Sequence, residues 1–177
     1  MNILQKFCLL ASLMISFVFW SSTTLCAQSQ VDRLVEQSNT KIKARDFKEA
    51  VKLLDKAISL SPESAQLYVK RAFSLRSLKK DKKALQDCKK AIELDNKSTS
   101  AYYEQGMAYA SLKDFQEAVA SFQQALAIDK DYANAYLGMA IVKQEAGDAE
   151  GACEDAKKAQ DMGSYEAEAF IKKHCRR

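Results

Sequence analysis

From Thr99 to Tyr132 the apolar and small residues recur at a helical interval: Tyr102, Gly106, Tyr109 and Leu112 come first. After the polar pair Lys113-Asp114 the rhythm resumes at Ala118, Phe122, Ala125 and Leu126. Such a period, broken once by polar residues, predicts two amphipathic helices folded back on each other. Gly106 and Ala118 leave room for the two backbones to approach, and Tyr102, Tyr109 and Phe122 fill the space around them.

Shifting this unit along the chain by its own length aligns Ala50, Ala84, Ala118 and Ala152, and again Ala57, Ala91, Ala125 and Ala159. Aromatic or apolar residues recur at Leu34, Tyr68, Tyr102 and Tyr136, and small ones at Ser38, Ala72, Gly106 and Ala140. Self-similarity at a fixed period is the signature of a stacked repeat array, in which each unit buries its apolar side against the next. Four units are expected, over 31–64, 65–98, 99–132 and 133–166. The first is more polar, with Gln37 and Lys41 where the third has Gln105 and Tyr109, as a terminal unit requires. Gly163 then ends a helix, and Ser164 to about Cys175 predicts one more, whose apolar side covers the open end; 167–177 is the remainder of this cap and a basic tail. Asp46 with Glu49, and Asp114 with Glu117, have the spacing of reciprocal helix caps, and Pro62 suits the first position of a helix.

The period, the small-residue columns and the set Tyr102, Gly106, Tyr109, Ala118, Phe122 and Ala125 resemble the tetratricopeptide repeat family. The resemblance implies an all-α fold: an α-solenoid of about four helix-turn-helix repeats with a C-terminal capping helix. It also implies that the first helix of each repeat lines a concave groove. On that face stand Val35, Asn39 and Ile42, then Val69, Phe73 and Arg76, then Tyr103, Met107 and Ala110, and finally Leu137, Ile141 and Gln144. A groove apolar in the middle with polar ends suits an extended peptide or a helix. Members of the family that bind chaperones clamp a C-terminal carboxylate with Lys and Asn on these faces; here Val69, Phe73, Tyr103 and Met107 replace them, so that ligand is not expected.

The N-terminus has a different pattern. Met1 to Lys6 is short and basic, Phe7 to Trp20 is almost wholly apolar, and Ser21 to Thr24 is polar. That order predicts a signal peptide over 1–27, cut after Leu25-Cys26-Ala27. A lipidated Cys26 and an uncleaved anchor are the two rivals, although the apolar run is short of the ~20 residues a spanning helix needs. All three place the repeats outside the cytoplasm, in a periplasmic, secreted or membrane-anchored protein.

Composition adds little to the fold but something to the partners. The chain has 177 residues, one Pro and five Gly, with a net charge of +4. The charge is unevenly spread: 65–98 carries ten basic and four acidic residues, whereas 133–166 carries three and seven. Lys79, Lys80, Lys82, Lys83, Lys89 and Lys90 supply most of the excess, and Lys172, Lys173, Arg176 and Arg177 form the basic tail.

Candidate chemistry is sparse. There is one His and no Gly-rich phosphate loop, metal-ligand spacing or nucleophile paired with a base. No cofactor, metal, nucleic acid or small-molecule substrate is expected, nor enzymatic activity. Cys153 and Cys175 fall at nearly matching heights on adjacent helices, so a bridge is sterically allowed, as are two independent thiols. The expected function is a scaffold binding a protein or peptide in the groove, with membrane contact only through a retained signal or lipid anchor. The alternative is a self-associating or envelope-associated structural protein that uses the basic second repeat and tail.

Overall fold

The structure is a computed structural model that describes residues 28–175; the expected signal segment and the last two residues of the basic tail lie outside them. The described residues form nine α-helices and no strand. Helix α1 covers 28–43. It is followed by α2 (Phe47–Leu60), α3 (Ala65–Ser77), α4 (Asp81–Leu94), α5 (Thr99–Leu112), α6 (Phe115–Ile128), α7 (Ala133–Ala146), α8 (Ala149–Asp161) and α9 (Tyr165–His174). From α2 onward each helix packs on the next, and among these pairs the hairpins α3/α4, α5/α6 and α7/α8 are the most intimate.

One backbone device makes all four hairpin turns. Arg45, Lys79, Lys113 and Gly147 hold the left-handed conformation, with φ of 59°, 61°, 66° and 91°. This lets the following residue donate its N–H back into the helix just ended: Asp46 to Lys41, Lys80 to Leu75, Asp114 to Tyr109 and Asp148 to Lys143, at 2.9–3.0 Å. The same bonds correct the reciprocal caps expected from the sequence. Asp46 Oδ1 accepts from the Glu49 N–H at 3.2 Å, but the Asp46 N–H is already engaged, so Glu49 turns to Lys52 instead. Asp114 makes no side-chain cap bond at all. Pro62 is a second correction: it lies in the turn between α2 and α3, and α3 starts at Ala65 with Ser64 as its N-cap. The ring's fixed φ serves a turn as readily as a first helical position.

The core runs along the interfaces of the stack. Leu54, Cys88, Phe122 and Ala156, one per repeat in equivalent positions, are all fully buried. Phe122 is the largest. Its ring lies so close to two glycines that a Cβ on Gly106 would sit 2.6 Å from it and one on Gly138 2.7 Å away. Phe122 therefore wedges α5 against α7 as well as α6 against α5. Alternating bulk and absence of bulk across a helix interface is what close packing at interior density demands. Among the described residues, every core cluster is drawn from residues between 31 and 142.

At the C-terminal end the packing thins, because Ala156 stands where Phe122 stands one repeat earlier. Helix α9 buries only Ala167 fully, and the Ser164 hydroxyl caps it by accepting from the Ala167 N–H at 3.3 Å. A disulfide between Cys153 and Cys175, with Cα atoms 5.6 Å apart, ties its far end to α8.

Candidate functional site: the wall of first helices

The direction in which the stack bends follows from which helices meet across repeats. α3 touches α5, and α5 touches α7, whereas the second helices of successive repeats make no comparable contact. The first helices are thus the crowded, inner side of the curve. Each junction between them is bridged. Lys70 donates to Asn39 Oδ1 at 2.9 Å between α3 and α1. Arg76 pairs with Glu104 at 3.1 Å between α3 and α5. Tyr103 meets Tyr132, the N-cap of α7, edge to face with ring centroids 5.5 Å apart.

None of the twelve residues expected on this wall is buried, although Ala72, Ala108 and Ala140 on the same helices are. They differ in how far they are already committed to the protein itself. Phe73 packs against Phe47 at 6.0 Å and lies under the Arg76 guanidinium. Tyr103, Met107 and Ala110 flank the cluster around Phe122, while Val35 and Val69 flank the clusters beneath the first two repeats. Asn39 and Arg76 are held by the polar bridges. Ile42, Leu137 and Ile141 belong to no packed cluster among the described residues, and Gln144 has a buried carbonyl oxygen with no partner. The wall therefore has a half-filled centre and open apolar positions toward its ends.

Electrostatics reflect this partial enclosure. Burial, then the neighbouring Glu104 carboxylate, pushes the Tyr103 hydroxyl up to about 12. Burial also raises Glu104 above the usual carboxylate range, against the opposing pull of Arg76. Cys88 lies on the core side, where burial raises its thiol far above the ordinary value and keeps it un-ionised.

A second set of polar residues escaped the sequence reading. Arg71 grips the buried Asp87 with two bonds of 2.8 and 2.7 Å and reaches Asp55 at 2.7 Å. At the equivalent positions of the next repeat, the Ser121 hydroxyl donates to Gln105 at 3.1 Å. In the fourth repeat Met139 breaks the pattern, and Asp155 pairs with Lys143 at 2.6 Å instead. The signal was a polar residue recurring in a mostly buried column, which a search for apolar periodicity passes over. Fork-shaped Arg–carboxylate pairing fixes the angle between the two helices of a hairpin, so this set acts on the scaffold that holds the wall.

Comparison with known proteins places these features in a wider setting. Two family models, each described as tetratricopeptide repeat, match residues 35–101 and 99–132. No curated protein matches the chain. Among solved structures, the Arabidopsis OM64 TPR domain is 28% identical, with a TM-score of 0.64, and the match covers 67% of this chain and 98% of that one. The first TPR of Spaghetti (RPAP3) bound to HSP90 peptide SRMEEVD is 25% identical, with a TM-score of 0.63, over 67% of this chain and 94% of that one. YrrB, described as a TPR protein with an unusual peptide-binding site, matches at 23% identity and a TM-score of 0.67 over 92% of this chain and 88% of that one, a likeness of fold.

Proposed function

The chain belongs to the tetratricopeptide repeat family, and from that premise we propose that it is a non-enzymatic interaction scaffold holding an extended peptide or a helix along the wall of first helices, outside the cytoplasm. One observation carries the groove reading. Among the described residues five large apolar side chains are exposed, namely Leu60, Ile128, Ile141, Met162 and Tyr165. Four of them stand at a helix end or just beyond it, where exposure follows from geometry; Ile141 alone is in mid-helix, on the inner face of α7, and 40% exposed. An apolar side chain kept half in water forgoes about half of the ~1.5–3 kcal/mol that full burial of an Ile is worth. A partner that covers it recovers that energy.

The chemistry of the wall narrows the partner. The RPAP3 domain was solved with the HSP90 peptide SRMEEVD, which has three acidic residues among its last four. In this chain the central positions are Val69, Phe73, Tyr103 and Met107, and Arg76 is engaged by Glu104. An apolar or aromatic-rich segment fits such a surface better than an acidic terminus. Location outside the cytoplasm is supported by the order of residues in 1–27 and by the Cys153–Cys175 bridge, since such bonds persist in oxidising compartments.

Peptides selected from a random displayed library against residues 28–177 test the reading. Leu137→Glu and Ile141→Glu change side chains that support no core cluster, so the fold is expected to survive, as circular dichroism would register. Each is expected to weaken the selected peptides at least tenfold, with little effect of raised salt on the parent affinity. Unchanged affinity in both variants would remove the groove from the account.

A further inference from the structure

The outer surface carries a charge gradient. The second helices α2, α4, α6 and α8 occupy equivalent places in successive repeats, so residues in one column form a row along the axis of the stack. The outermost column reads Lys48, Lys82, Gln116 and Glu150, all exposed. The next, one helical turn on, reads Lys52, Gln86, Ala120 and Glu154, again all exposed. Along these two columns the face passes from basic through neutral to acidic between the first repeat and the fourth, while the columns Asp55, Lys89, Gln123, Lys157 and Lys56, Lys90, Gln124, Lys158 keep a lysine at the fourth. The basic half is also largely uncompensated. Lys52 and Lys90 form exposed pairs with Glu49 and Glu93, but among the described residues Lys48, Lys56, Lys82, Lys83 and Lys89 form no ion pair. Arg71, Arg76 and Lys143, each matched to a buried carboxylate, all stand on first helices.

The gradient has a direction relative to the rest of the chain. Its basic end is the N-terminal end, and only 21–27 separate the apolar run Phe7–Trp20 from the first described residue of α1. Seven residues span at most about 25 Å. If the run resides in or against a bilayer, the first two repeats lie within reach of the lipid surface and the acidic fourth repeat points away from it. We propose that the lysine face of α2 and α4 is a docking surface for anionic phospholipid headgroups. Each lysine brought near such a surface strengthens binding about fivefold, an effect that decays within a Debye length of about 10 Å at 0.1 M salt. The proposal is independent of the groove, which lies on the opposite side of each hairpin.

The test uses residues 28–177, which hold every core cluster found among the described residues and lack the apolar run. Co-sedimentation is measured with vesicles of phosphatidylcholine alone and of phosphatidylcholine with about a third phosphatidylglycerol. Binding is expected to the mixed vesicles only, and to fall steeply as salt rises from low to physiological levels. Replacing Lys48, Lys56, Lys82 and Lys89 by Gln is expected to lower the partition coefficient more than 100-fold, at about fivefold per lysine. Glu150→Gln with Glu154→Gln, at the far end, is the control and should not weaken binding. Equal binding to both vesicle types, retention of binding in the four-lysine variant, or binding to soluble polyglutamate but not to the vesicles would each overturn the proposal.

Discussion

Phe122 shows how much a single side chain can carry. Its ring spans Gly106 on α5 and Gly138 on α7, and it has no exposed surface into which it could swing. Gly106→Ala and Gly138→Ala are each expected to lose about 1–3 kcal/mol through overpacking, and Phe122→Ala about 3–5 kcal/mol through the cavity it leaves, all measurable by urea unfolding. In a Phe122→Leu background the alanine penalties should shrink, because the groups are in contact and their effects are not additive. The Gly106 contact was legible in the sequence, since both partners fall within one repeating unit. The Gly138 contact was not: its column reads Glu36, Lys70, Glu104 and Gly138, so no periodicity marks it, and the contact crosses from one unit to the next. Tyr103 offers a second test at this scale. With its hydroxyl held up to about 12, the folded state favours the protonated phenol. The sign follows: the folded state binds this proton more tightly than the unfolded one, so its stability declines as pH climbs from about 10, the ordinary tyrosine value, toward 12. Ultraviolet titration should show a tyrosinate step near pH 12 that Tyr103→Phe abolishes.

At the level of elements, the hairpin turns and the last helix are where stability can be altered most cleanly. Lys113 holds a φ of 66°, a conformation that a residue with a Cβ adopts at a cost of about 1–2 kcal/mol. Glycine occupies the equivalent position 147. Lys113→Gly is expected to stabilise the protein by about 0.5–1 kcal/mol after the extra chain entropy of glycine is subtracted, read as a rise in the urea midpoint. The bridge holds helix α9 where packing is thin, because α8 offers it alanines rather than a wedge. Closing a loop of 22 residues contributes about 3 kcal/mol. Paired Cys153→Ser and Cys175→Ser substitutions should remove about that much and raise hydrogen exchange in α9 while leaving α3 to α6 protected. The sequence placed both cysteines at matching heights and left their bonding open. It placed Pro62 at a helix start where the chain makes a turn, because proline's fixed φ suits both and residue type alone does not separate them.

For the whole molecule, the repeat length and the alanine columns made the solenoid readable in advance, since every unit restates the same packing problem. The wall of first helices was readable only in part. Helical phase says which way a side chain faces, but not whether a neighbour from another repeat has already reached it. Phe47 on Phe73 and Glu104 on Arg76 are contacts between repeats, Tyr132 at the end of the third unit closes over Tyr103, and together they leave Ile42, Leu137 and Ile141 as the apolar wall positions outside the packed clusters in place of the central aromatics. The central claim is that the curve of the stack keeps this inner wall available for another polypeptide. Methyl-resolved NMR of residues 28–177, titrated with a library-selected peptide, tests it most directly. Shifts are expected to cluster at Val69, Met107, Leu137 and Ile141; shifts confined to the methyls of α2, α4, α6 and α8 would contradict it.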